Sequence, residues 1–172
     1  MKLEARRRTV AAIIMGALVA AVHFHAPAQE LTNYFNDPFA QITSGLPGCP
    51  VPRGPLVTSS EIRTEAHSRA ERGTRCYLSG ACRLPNSYLY DKDIAARMRQ
   101  HVLYDGRFSG TSVWVLVQRR WVILQGCVRT KAQSEALSVL AREVDDVEAV
   151  VDELMIGARG TPKYRTAASI QR

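Results

Sequence analysis

Four cysteines, Cys49, Cys76, Cys82 and Cys127, carry most of the covalent chemistry open to this sequence. Thiols can ligate zinc, attack as nucleophiles or pair as disulfides. Zinc sites favour paired C-x2-C units, whereas the nearest pair here is Cys76 and Cys82, a C-x5-C. His67 and His101 stand in no ligand-spaced or nucleophile–base motif, and Ser59-Ser60 is better explained by helix capping. G-x-S-x-G, H-E-x-x-H and P-loop patterns do not occur. The reading is therefore no catalytic residue, no metal site and no cofactor.

A second kind of chemistry is electrostatic and interfacial. Arg119-Arg120-Trp121 puts two cations beside an indole, with Trp114 and Ile123 nearby, and Arg129 and Lys131 form a further basic pair. Aromatic side chains suit a membrane–water boundary, and basic residues suit anionic headgroups. The net charge of +7 overstates this tendency. The first 28 residues hold four basic residues against one acid, leaving 19 basic and 15 acidic residues beyond them. That mild excess is weak evidence for an anionic partner and disfavours nucleic acid.

The cysteine chemistry depends on compartment. Lys2 and Arg6-Arg7-Arg8 precede an apolar run, Val10 to Val22, and then Ala26-Pro27-Ala28. This is the layout of a secretory signal over residues 1–28, cleaved after Ala28. An uncleaved anchor is the alternative, but the run falls short of the roughly 20 residues that span a bilayer. In a periplasmic chain the four thiols are expected to form disulfides, with three pairings open.

Residues 29–87 read as an irregular, cysteine-containing extension marked by Asp37-Pro38, Gly45, Gly48 and Pro50, Pro52 and Pro55. One short helix is expected at about 59–72, opened by the capping box Thr58–Glu61 and closed by Gly73. Periodicity sharpens in the domain expected over 88–157. Ile94, Met98 and Val102 give a helix face. Val113, Val115 and Val117, then Val122 and Leu124, alternate as a hairpin with its turn at Arg119-Arg120. Thr130–Gln133 caps a second helix through Ala136, Leu137, Leu140 and Ala141, and Val150, Leu154 and Ile156 mark a third strand. Residues 158–172 show no apolar period, hold Arg159, Lys163, Arg165 and Arg172 with no acid, and read as a disordered basic tail.

Helix, hairpin, helix and strand in this order resemble the BON domain of bacterial envelope proteins. The residues that carry the likeness are Val113-x-Val115-x-Val117, then Val122-x-Leu124-x-Gly126-x-Val128, then Asp146-Val147 and Val150-x-Asp152-x-Leu154-x-Ile156. Arg119-Arg120 stands where the family's turn often has Asn-Gly, and Asp146 stands in place of the usual Gly. The resemblance implies an α+β fold: one αββαβ domain, a three-stranded sheet with two helices on one face, carried beside the irregular extension. It also implies a non-catalytic envelope module, associated with phospholipid surfaces, osmotic-stress protection or periplasmic assemblies. Expected partners are thus anionic phospholipid or envelope proteins.

Strand alternation places Trp114, Leu116, Trp121, Ile123, Cys127, Val151 and Met155 on the sheet face away from the helices. An apolar outer face is either covered by the same chain or kept for a partner. In the first case the extension folds over it, and Cys127 pairs with Cys49, Cys76 or Cys82. In the second, Trp114 and Trp121 meet lipid or protein while Arg119 and Arg120 reach headgroups.

Overall fold

A computed structural model describes residues 30–167. The expected export signal over 1–28 lies outside them. Two short strands, β1 (Leu31–Thr32) and β3 (Val57–Thr58), pair antiparallel and flank β2 (Phe39–Ser44). Then follow α1 (Ser59–Gly73), α2 (Arg75–Leu78), a 3-10 turn (Ser87–Tyr90), α3 (Asp91–Asp105), β4 (Ser112–Gln118), β5 (Trp121–Val128), α4 (Lys131–Arg142) and β6 (Ala149–Ile156). The chain is α+β.

The main sheet has four strands, in the order β2-β4-β5-β6, rather than the three expected. β6 lies parallel to β5, and the other neighbours are antiparallel. The added strand, β2, comes from the extension, which is therefore less irregular than its composition suggests. It was hidden because a bulge between Gln41 and Thr43 breaks its alternation, so that both Ile42 and Thr43 are buried. Thr43 earns its place through its hydroxyl, which meets the Thr111 hydroxyl at 2.8 Å and accepts the Val113 amide at 3.0 Å.

The core lies between the sheet and the helix pair. Ile94, Met98 and Val102 of α3 and Leu137 and Ala141 of α4 pack on Val113, Val115, Val117, Val122, Leu124 and Val128. α4 begins where the Thr130 hydroxyl accepts the Gln133 amide at 3.2 Å, and α3 ends at Gly106 with φ +71°. Asp152 ties β6 to α4 by accepting hydroxyl hydrogen bonds from Ser134 and Ser138, at 2.5 and 3.3 Å.

The basic tail is not disordered as far as Ala167. Arg53 donates its amide to the Arg165 carbonyl at 2.8 Å, Ala167 to that of Val51 at 2.9 Å, and Pro52 bridges Thr166. Tyr164 is buried, and its hydroxyl donates to the Pro50 carbonyl at 2.7 Å. A tail with no apolar period is held by backbone pairing and one aromatic ring, neither of which periodicity reports. Residues 168–172 lie outside the described residues.

Candidate functional site

The outer sheet face is covered around Trp114, Leu116, Cys127 and Met155. Cys49 and Cys127 form a disulfide across it, and Cys76 pairs with Cys82 within the extension. Ser112 clasps Leu46, its hydroxyl accepting from the amide at 3.0 Å and donating to the carbonyl at 2.8 Å. Tyr164 comes within 4.0 Å of the Met155 sulfur. Trp114, Leu116 and Met155 are 6–7% exposed as a result, and Cys127 is fully buried. Trp114 is therefore no candidate for a membrane or partner contact. Trp121 and Ile123 are only half-buried.

The hairpin tip is likewise more engaged than a free cationic loop. Arg119 and Arg120 both have positive φ, +55° and +66°, in the two-residue turn that usually recruits Asn and Gly. A buried carboxylate holds them there. The Arg119 and Arg120 amides each donate to Asp91, at the start of α3, at 2.7 Å. Burial pushes Asp91 up to about 6; the two turn amides pull it down, Asp37 raises it and Arg69 lowers it. The folded chain thus binds this proton more tightly than an exposed carboxyl of pKa 3.8 would. Its contribution to stability is full below about pH 4 and is lost as pH rises through about 6. The Asp91 carboxyl resonance in carbon NMR should titrate with a midpoint near 6; an ordinary midpoint would show that the turn does not bury it.

The other departure from the family pattern is tied to the same place. Asp146, at φ +69°, offers its carbonyl to Arg120 Nε at 2.7 Å. Its carboxylate receives Arg83 at 2.7 Å and Arg97 at 3.1 Å. Burial opposes ionisation of Asp146, but the Arg97 and Arg83 hydrogen bonds prevail and hold its pKa below the ordinary value. Arg120 Nη1 also lies 2.8 Å from Cys82 Sγ and 3.5 Å from Cys76 Sγ. Arg119 instead lays its guanidinium over the Trp121 ring, 4.6 Å from the centroid.

These arginines do not act alone. Arg72 at the end of α1 and Arg75 in α2 join Arg119 and Arg120 around a pocket of about 450 Å³, with Cys76 in the wall and Glu148 as its one acidic lining residue. Beside it, the Cys76–Cys82 loop carries Tyr77 and Leu78 into solvent, 48% and 79% exposed. The sequence places Arg72 and Arg75 on a helix end and a loop that no periodicity connects to the hairpin, so their convergence is a product of tertiary structure. Arg129 and Lys131 are elsewhere. Arg129 Nε donates to the Gly110 carbonyl at 3.0 Å and Lys131 pairs with Glu135 at 3.4 Å, so the first pins a loop and the second decorates α4. Arg165 of the tail runs back to the extension, its carbonyl accepting the Arg53 amide.

A four-stranded sheet under one helix pair, with no group of three His, Cys, Asp or Glu arranged for a metal among the described residues, defines a small α+β domain whose polar site is an arginine-lined pocket. Residues 90–158 match the family model of the BON domain. The family is generally non-catalytic and belongs to the cell envelope, which agrees with two disulfides, since these persist in oxidising compartments. No curated protein and no solved structure matches the chain.

Proposed function

We propose that this protein is an exported, non-catalytic module of the bacterial envelope that attaches weakly to anionic phospholipid, acting in the periplasm in envelope maintenance or osmotic stress once its signal is cleaved after Ala28. The arginine pocket beside the exposed Tyr77 and Leu78 is the observation that carries this reading. The two apolar side chains sit on a disulfide-closed loop, so little ordering is needed for them to enter the headgroup layer, and the arginines lie next to the headgroups they would meet. Each basic residue near such a surface contributes on the order of 1 kcal/mol. Arg72, Arg75 and Arg119 give about 3 kcal/mol, which corresponds to a dissociation constant of several millimolar, while Arg120, held by the Asp146 carbonyl and paired with Glu148, adds little. Attachment should therefore be weak and should fade with salt.

Co-sedimentation with vesicles containing phosphatidylglycerol, against vesicles of phosphatidylcholine alone, tests this. Arg72→Gln with Arg75→Gln should weaken binding by about 2 kcal/mol, roughly 30-fold. Both residues are exposed, so the fold should survive. Equal binding to both vesicle types would remove the proposal.

A separate surface favours the alternative, an adaptor in a periplasmic protein complex. Between α3 and α4 runs a groove of about 940 Å³ lined by His101, Tyr104, Ala136, Val139 and Leu140 among others. Tyr104 is 96% exposed, and Leu103 and Val139 about half, a concentration of uncovered apolar surface typical of contact sites. Under this reading, Tyr104→Ala abolishes capture of a periplasmic partner and leaves vesicle binding intact.

A further inference from the structure

The two disulfides sit in opposite electrostatic surroundings. Arg120 brings its guanidinium to 2.8 Å from Cys82 Sγ. Cys49 Sγ, by contrast, faces the Ser112 carbonyl at 3.7 Å, and the Pro50 carbonyl and Tyr164 hydroxyl at 4.0 Å. A thiolate released at Cys82 would be stabilised by a cation; one released at Cys49 would meet the negative ends of dipoles. The settings of the accessible sulfurs differ as well. Each bridge joins one buried cysteine, Cys127 or Cys82, to one half-buried partner, Cys49 or Cys76, but Cys76 forms part of the wall of the arginine pocket. An anionic thiolate nucleophile is drawn to such a pocket.

We infer that Cys76–Cys82 is a thiol–disulfide exchange site, attacked at Cys76 Sγ by the thiolate of a dithiol donor, with Cys82 as the leaving group on Arg120. This does not depend on the lipid-binding proposal. In the first step the donor's thiolate forms a bond to Cys76 Sγ, the Cys76–Cys82 bond breaks, and its electron pair stays on Cys82. In the second, the donor's other thiol, on losing its proton, attacks the donor sulfur of the mixed disulfide. Cys76 leaves as a thiolate and the donor departs as its own disulfide. Two electrons and two protons pass from donor to protein.

The loop can tolerate the cleavage. The Cys76 carbonyl accepts hydrogen bonds from the Ala81 and Cys82 amides at 2.9 and 3.1 Å and from the Ser79 hydroxyl at 2.9 Å. The turn is thus closed by its backbone even without the covalent bond, and the two sulfurs stay near each other for re-oxidation.

Fast exchange depends on a low leaving-group pKa and on which sulfur is open to attack, and both can be read directly. Native oxidised protein is exposed at neutral pH to a limiting amount of dithiothreitol, then quenched with iodoacetamide and mapped by peptide mass. Cys76 and Cys82 should be alkylated while Cys49–Cys127 remains joined. With reduced glutathione as a monothiol, the trapped adduct should lie on Cys76. Arg120→Gln should slow opening of Cys76–Cys82 by roughly threefold to tenfold and leave Cys49–Cys127 unaffected. Equal rates for the two disulfides, an adduct on Cys82, or an unchanged rate in Arg120→Gln would each overturn the assignment. If Arg120→Gln fails to fold, the position of the glutathione adduct on the native chain decides.

Discussion

Replacing Cys49 and Cys127 together by alanine should lower the free energy of unfolding by roughly 4–5 kcal/mol. The bridge joins residues 78 apart in sequence, and in the chain-entropy model a loop of that length loses about this much freedom in the unfolded state. The second bridge, spanning only 6 positions, is worth about 2 kcal/mol on the same scale. The larger loss carries a local signature. Cys127 is fully buried at the centre of the covered face, and Trp114 on the same face is 7% exposed. Without the bridge, the cover is held by the Ser112–Leu46 and Tyr164–Pro50 hydrogen bonds and the short pairing of residues 51–53 with 165–167. Each such bond is worth only about 1 kcal/mol net. Urea unfolding should thus show a lower midpoint, and tryptophan emission in the native baseline should shift to the red as the cover loosens. A loss below about 1 kcal/mol would mean that the cover is self-sufficient and the disulfide incidental.

How much of this could be read from the chain alone depends on distance along it. The stripe Ile94, Met98 and Val102 and the alternation Val113, Val115 and Val117 mark core positions because each pattern is generated within one element; all six side chains are buried in the cluster between helices and sheet. β2 was invisible, because its six residues straddle a bulge and owe their strand to pairing with β4, some 70 positions away. The order of the tail was invisible for the same reason. The cysteines were legible as disulfides, but their pairing was set by how the extension folds over the sheet.

The site shows the same division. Arg119 and Arg120 stood out in the sequence, yet their exposure and freedom did not follow from their charge. Two residues that break the family's turn pattern, Arg120 and Asp146, turn out to bond each other, with Arg83 of the extension and Arg97 of α3 closing the group. Read singly, each departure looks like a strained backbone with positive φ. Taken together, they fasten the extension to the domain, and the arginine pocket is a consequence of that fastening.

Gly126→Ala should be the most damaging single substitution at a position where sequence alone shows only a small residue. Gly126 lies in the β5 run Val122-x-Leu124-x-Gly126-x-Val128 and pairs with Val113 of β4. Its φ is +116°, outside the range that side chains tolerate, and a Cβ there would come within 2.1 Å of the Ser112 carbonyl oxygen and 3.0 Å of the Trp114 ring. The first neighbour is backbone in the middle of the sheet, so it cannot swing aside. Either β5 rotates at this point, or the β4–β5 pairing opens, and both disturb Ser112 and Trp114, which anchor the cover. Strain and clash combined should cost at least about 3 kcal/mol. Gly80→Ala separates the two causes. Gly80 also has positive φ, +74°, but nothing lies within 4 Å of a Cβ built there, so it should cost only the backbone term, about 1 kcal/mol. Urea unfolding of both variants measures the difference. If they cost the same, the close approach at Gly126 is relieved by small shifts and the glycine is there for its backbone angles alone. If Gly126→Ala costs more and also reddens the tryptophan emission, the sheet needs this glycine to let the outer face close, and an apparently ordinary core motif is what makes room for the extension.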